Sequence, residues 1–345
     1  MRTLSIVFLV LGIALLGVLI YQVGPAKLWA DILRIGPSLA WVLLVGLASM
    51  FFLAVAWKEL LYPERTTATV WDLFGAGLVG FAVNELTPGS VAGEPIKGAQ
   101  LQGKVPPEDI VSSLILHNYL YIITNFLQIA LGALIGLIWL DLAPTLMWGT
   151  IVVTVVVAGI LVLLTLAIRW GMAERFMKAL RFVRLPIKNI EGAIDGARKA
   201  DLQARTYAHQ RRAAFWRAFL WIFAARTLAV VEIWVILVII GHPAGFATLM
   251  LLQASSLLVY VIFFFVPSQM GANEAGATLI FKLLRFDPAT GLLMELVRRL
   301  RKIAVIIIGL CLLGLKTLVK PRDAATATTA PAAATELPPK TPDGM

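Results

Sequence analysis

Two glutamates and a run of cations are the residues of this chain whose type and spacing could do chemistry. Glu94 lies in NELTPGSVAGEPIKG and Glu274 in FFFVPSQMGANEAGA. Each follows a break in an apolar run, made of Pro88, Gly89 and Gly93 in the first segment and of Pro267 and Gly271 in the second. Asn84, Glu85 and Asn273 stand close by. An Ala-Thr pair precedes both prolines by the same interval, Ala68 to Pro88 and Ala247 to Pro267 being 20 residues each. A helix that restarts after such a break points free N–H groups and the positive end of its dipole into it, which suits an anion such as phosphate. A glutamate at that place either caps the new helix or belongs to a transport path, and its presence in both halves favours the path.

The complementary signal is RRLRK, which supplies Arg298, Arg299, Arg301 and Lys302 inside an otherwise apolar stretch from Gly291 to Leu315. Charge at membrane depth is costly and marks a functional site by default. On a helix Arg298, Arg301 and Lys302 share a face while Arg299 is turned away. The alternative is snorkelling to lipid phosphates at the interface. Two further sets are polar. His117, Tyr121, Asn125 and Gln128 recur at i, i+4, i+8 and i+11, a stripe about 16 Å long at 1.5 Å per residue. Such a stripe serves helix-to-helix hydrogen bonds or a wet pathway. Arg226 and Glu232, six residues apart, face different sides of one helix, and each needs a partner elsewhere. For Arg226 a break-segment glutamate is the expected one.

These residues sit in a chain too apolar for a soluble domain: 59% hydrophobic, 14% charged, mean hydropathy +0.86. Apolar runs of about 20 residues recur, the length that crosses a hydrocarbon core of about 30 Å. The net charge of +10 does not point to nucleic acid. Twelve of the 30 Lys and Arg fall between Arg169 and Arg217, against four acids, as in a cytoplasmic loop beside anionic lipid. The lone Cys311 leaves no intramolecular disulfide and no cysteine-rich metal site. No GxxxxGK[ST], GxSxG, HExxH or CxxC occurs. No enzyme activity, cofactor or metal is therefore expected.

The elements that must position the charges follow from hydropathy and punctuation. Spans are expected at Leu4 to Val23, Leu39 to Leu61, Ile110 to Leu140, Thr145 to Ile168, Phe219 to Ile240 and Ala289 to Val319. Two broken segments, Thr69 to Leu86 and Ala247 to Val266, each lead into a resumed helix, Ala275 to Leu284 in the second case. The fold class is thus all-α: a polytopic helical membrane protein of about six full spans plus two Pro/Gly-broken re-entrant hairpins, in two pseudo-repeated halves. One transmembrane domain covers 1–320, with halves 1–168 and 215–320 around a basic loop at 169–217, and the Ala/Thr/Pro-rich 321–345 reads as a disordered tail. Placing the basic loop in the cytoplasm puts both termini there and leaves the Asp141–Pro144 and His242–Gly245 turns, free of Lys and Arg, outside. The hairpins then open to opposite sides.

LTPGSVAGEPIKGAQL and VPSQMGANEAGATLIF resemble the two signature segments of the lysylphosphatidylglycerol synthase transmembrane-region family, also described as flippase-like integral membrane proteins. The pattern there is a Pro-Gly-Gly-type break, then a Gly and an acid or Arg, then a resumed helix. RRLRK resembles a basic element before that family's last span, and a hopanoid-biosynthesis-associated branch shares the look. The likeness covers most of residues 1–320. It implies that Glu94 and Glu274 match the acidic positions and Arg298 or Arg299 the late arginine. Pro267-Ser268-Gln269 departs from the Gly-rich turn typical there. In the family's bifunctional lysyltransferases the membrane region translocates aminoacylated lipid made by a separate soluble domain. No stretch of this sequence reads as such a domain, so synthase activity is not expected.

The reading that results is a lipid translocase of the bacterial inner membrane, moving a lipid with a phosphate or glycan headgroup through a polar midplane cavity. Arg298, Arg301 and Lys302 would draw the phosphate, with Glu94 and Glu274 engaging cationic atoms or coupling protons. Its partners are then membrane lipids, not nucleic acid. Two alternatives stay open: a non-transporting accessory protein beside enzymes of lipid, hopanoid or envelope biosynthesis, and an intramembrane lipid transferase.

Overall fold

A computed structural model describes residues 36–87, 92–170, 211–263 and 271–319, with the single positions 21, 26, 33, 266 and 269. Among these residues the chain is entirely helical: α1 Leu39–Glu59, α2 Val70–Leu86, α3 Gly93–Ala99, α4 Pro107–Trp139, α5 Pro144–Trp170, α6 Arg212–Ile239, α7 Phe246–Ile262, α8 Ala272–Leu283 and α9 Pro288–Val319. Four, α1 with its lead-in from Gly36, α4, α5 and α6, are long and apolar enough to cross a membrane. The expected first span at Leu4 to Val23, most of the basic loop, the tail 321–345, and Pro88, Gly89 and Pro267 lie outside the described residues.

Local chemistry sets the helix ends. At the start of α2, Thr69 accepts the Asp72 N–H while the Asp72 carboxylate accepts the Thr69 N–H at 2.8 Å, a reciprocal cap. The helix ends at Thr87, whose extended backbone (φ −112°, ψ 137°) is what a following proline demands. Replacing Thr69 by alanine should cost about 0.5–2 kcal/mol. A lower thermal midpoint of the detergent-purified variant is the expected reading, and an unchanged one counts against the cap. Proline opens α4, α5 and α9, where its missing N–H costs nothing. Before α8, Gly271 takes φ 80°, a left-handed conformation that favours glycine.

Two expected boundaries shift. Phe219 is not the start of the fifth span: α6 begins at Arg212, so 212–217 belong to helix rather than to the basic loop. The extra turns are anchored by Arg217, whose Nε lies 2.8 Å from the Glu59 carboxylate at the end of α1. The run to Val266 is also shorter than expected: α7 ends at Ile262, and its cap Phe263 already leaves helical geometry at φ −102° and ψ 26°.

Packing divides the described helices into two matching sets. α1 packs on α6, and the two run antiparallel: Glu59 meets Arg217, Arg211 donates to the Leu61 carbonyl, and halfway along the Ser49 hydroxyl donates to the Ala225 carbonyl at 2.9 Å. α3 folds back on α2 and α8 on α7. The long helix of each set then docks on the broken helix of the other, α4 on α7 and α9 on α2. Exchanging α1, α2, α3, α4 for α6, α7, α8, α9 turns every principal helix contact into another one that exists, with α5, packed on α4, standing outside the scheme.

The cross-docking relies on glycine. Gly132 of α4 lies against the Met250 carbonyl and Ala254 of α7, and Gly309 of α9 against the Leu78 carbonyl and Ala82 of α2. In both places a glycine meets a carbonyl and the alanine one turn on, letting two backbones touch. The largest apolar cluster gathers Val42 of α1, Ile233 and Ile236 of α6, Leu249 and Leu252 of α7, Phe281 of α8 and Leu292, Met294 and Val297 of α9. It packs the turns of α9 just ahead of the cations between both sets.

Candidate functional site

Three groups of polar residues occupy the interior. The first lies where α3 folds back on α2. Asn84 accepts the Gly93 N–H at 2.7 Å, so the helix restart after the first break is tied to the end of the helix before it. Close packing makes glycine necessary there, because a Cβ on Gly93 would run into the Gly80 carbonyl and Asn84. Glu94 does not cap α3. Its carboxylate takes Lys97 at 2.7 Å and Asn118 of α4 at 3.1 Å, while the Lys97 stem lies across Gly80. Next to Asn118, His117 Nε2 donates to the Leu53 carbonyl of α1 at 3.2 Å.

The second group is the cation row of α9. Arg298 donates to Glu295 at 2.8 Å and to the Ser256 hydroxyl of α7 at 3.3 Å, and its Nε stands 3.7 Å from Glu232 of α6. Arg301 lies against Gly46 of α1 and brings its Nε to 2.8 Å from the same Glu232 oxygen. Lys302 approaches Glu85, at the end of α2, to 3.6 Å. Arg299 points the other way, as its helical angle demands, and its Nε donates to the buried Glu274 at 2.7 Å. The other Glu274 oxygen accepts the Gly271 N–H at 2.9 Å. Glu274 therefore caps α8, as one of the two expected readings has it, and also pairs with α9. Asn273 beside it has a buried Oδ1 with no hydrogen-bond partner.

Placing Arg298, Arg301 and Lys302 on one face does not bring them to one partner. Lys302 reaches α2, whereas the two arginines share the α6 carboxylate. Each cation of the row is met by an acid, so an arriving phosphate has to compete with a carboxylate for any of them.

The third group centres on Arg226. The expected pairing with a break-segment glutamate is not formed: Glu94 is engaged by Lys97 and Glu274 by Arg299. The Arg226 guanidinium instead stacks over the Tyr121 ring of α4, 3.9 Å from its centroid. The reason is the path of α6, which runs alongside α4 and turns Arg226 toward that helix. Gln128 meets Thr227 of α6 at 3.5 Å. The stripe on α4 thus splits: His117 and Gln128 tie helices together, Tyr121 seats a cation, and Asn125 keeps a buried Oδ1 without a partner.

Sequence reasoning missed Asn118, Glu295 and Ser256. Lys97 was the most accessible of the partners it left out, standing at i+3 from Glu94, where an ion pair is expected on any helix.

The arrangement, two broken helices whose ends carry acids and a long cationic helix that neutralises them, agrees with a wider comparison. The chain matches the family described as "Lysylphosphatidylglycerol synthase TM region" over residues 4–309. No curated protein and no solved structure matches it. Both signature breaks and RRLRK fall inside the matched span, so the chain belongs to the lysylphosphatidylglycerol synthase TM region family and is an integral membrane protein related to lipids.

Proposed function

We propose that the protein is a lipid translocase of the bacterial inner membrane, with no catalytic chemistry of its own. A phosphate- or glycan-bearing headgroup enters the polar centre between the two helical hairpins while its acyl chains stay in lipid. The hairpins α2–α3 and α7–α8 are re-entrant and open to opposite sides, the termini and the basic loop being cytoplasmic. The observation that carries this reading is the antiparallel match of α1 with α6 together with the reciprocal docking of α4 on α7 and α9 on α2. Inverted halves of this kind have two exchangeable arrangements around one central site, the geometry used for alternating access. Within it, the ion pairs of α9 act as the closure that a headgroup phosphate must loosen.

The test is headgroup movement in proteoliposomes, followed by quenching of fluorescent lipid in the outer leaflet. Glu94→Gln should abolish movement yet leave the thermal midpoint nearly unchanged. Its side chain is 25% exposed and that of Lys97 17%, so water can compensate a lysine left unpaired. Movement at the wild-type rate in the variant, or no movement above protein-free liposomes in the wild type, would sink the proposal. The second of these results is the one expected of a non-transporting accessory protein.

A further inference from the structure

Each of Arg298, Arg299, Arg301 and Lys302 has an acid and Lys97 has Glu94, but among the described residues Arg226 has none. Among the described residues no carboxylate lies within ion-pair distance of it, and its Nε is buried without a hydrogen-bond acceptor. Its place makes this costly. Arg226 is midway along α6 (Arg212–Ile239), with about 20 Å of helix on either side at 1.5 Å per residue. An arginine at the centre of a span is expensive to keep and is retained for a purpose.

The surroundings are those of a seat rather than of a structural pair. Stacking on Tyr121 uses one face of the guanidinium and leaves its N–H edge to donate, the planar fork that matches phosphate. Tyr260, in the last turn of α7, stands close enough to feel the charges of both Arg226 and Glu85. Tyr260 is 36% exposed, and the apolar Ile262 and Leu86, at the ends of α7 and α2, are exposed at 52% and 59%. Exposed apolar side chains thus stand at the ends of both broken helices, where acyl chains can lie. One guanidinium balances one negative charge. A headgroup amine, by contrast, finds Glu94, Glu274 and Glu85 each already facing a cation.

We propose that Arg226, stacked on Tyr121, binds the phosphodiester of a membrane lipid whose headgroup carries one net negative charge. The assignment rests on the lipid-transport reading and names the chemistry of its cargo. The headgroup phosphate takes the place of the missing carboxylate, and the acyl chains stay in lipid.

Binding to the detergent-purified full chain tests it, with dioctanoylphosphatidylglycerol as the anionic probe. The comparison probes are dioctanoylphosphatidylethanolamine, dioctanoylglycerol without phosphate, and glycerophosphoglycerol without acyl chains. Arg226→Gln should weaken the anionic lipid by about ten- to a hundredfold, the loss of a charge-assisted hydrogen-bonded contact. Arg226→Lys, which keeps the charge but not the fork, should lose less, and Tyr121→Leu several-fold. No carboxylate is orphaned by these changes, so the variants should melt as the wild type does. If Arg226→Gln does not fold, the lysine and leucine variants carry the test.

Wild-type affinity in all three variants overturns the seat. So does equal binding of dioctanoylglycerol, and equal binding of phosphatidylethanolamine overturns the charge selection. Equal binding of glycerophosphoglycerol transfers the site to a soluble phosphodiester and overturns the lipid part. Proteoliposomes separate this from the transport reading. Binding that depends on Arg226 in a protein that moves no lipid upholds the seat and removes translocation, and movement indifferent to Arg226 does the reverse.

Discussion

Replacing Glu274 by alanine should leave little folded protein to assay. The buried carboxylate accepts the Gly271 N–H at 2.9 Å and the Arg299 Nε at 2.7 Å, so one substitution uncaps α8 and strands a guanidinium in the interior. Removing one partner of a buried pair costs about 3–5 kcal/mol, and a lost cap adds about 1 kcal/mol. That is a large share of the roughly 5–15 kcal/mol that holds a typical domain together. Yield of monodisperse protein and its thermal midpoint are the measurements. The double variant Glu274→Leu with Arg299→Leu should recover most of the loss, since an apolar pair replaces an ionic one at little cost in such places. If the single variant melts with the wild type, the pair does not anchor α9.

The second large effect is expected from the two crossing glycines. A Cβ on Gly309 would stand 2.5 Å from the Leu78 carbonyl, and one on Gly132 would meet Met250 in the same way. The obstacle is backbone in both cases and cannot rotate aside. Gly132→Ala and Gly309→Ala should therefore each cost about 1–3 kcal/mol or more, through displacement of a whole helix. Gly159 of α5 has nothing within 4 Å and supplies the control, its alanine variant melting at or slightly above the wild type. Similar losses at Gly132 and Gly309 are the expected sign of equivalent halves. A loss at one position alone would show that the two docking surfaces are not equivalent in strength.

Much of this architecture was legible because punctuation is local. Pro88 ends α2 through its effect on the backbone of Thr87, and Thr69 starts α2 through a hydrogen bond three residues on. The turn of Arg299 away from Arg298, Arg301 and Lys302 follows from helical angle alone. What lies on that other side does not. That Arg299 finds Glu274, or that Arg298 and Arg301 share Glu232, depends on the register between helices far apart in sequence, which no spacing encodes. Asn118 escaped for the same reason, standing one residue off the polar stripe on the side that happens to face α3. The start of α6 was misplaced because Arg212 and Arg217 carry loop-like charge, while the partner of Arg217, Glu59, lies at the end of α1.

The row of cations on α9 also dictates an order of biogenesis. α9 is the last of the described helices to leave the ribosome. Its Arg298, Arg299, Arg301 and Lys302 would each cost about 2.5–3.5 kcal/mol at the centre of a lone span, so insertion is favourable only where acids already wait. Those acids are Glu85, Glu232 and Glu274, deposited earlier by α2, α6 and α8, with Glu295 arriving on α9 itself. Until then Glu232 and Glu274 lack the arginines of α9 that meet them in the finished protein. Integration of the final helix becomes a proofreading step, passed only by a chain whose earlier helices have assembled in register.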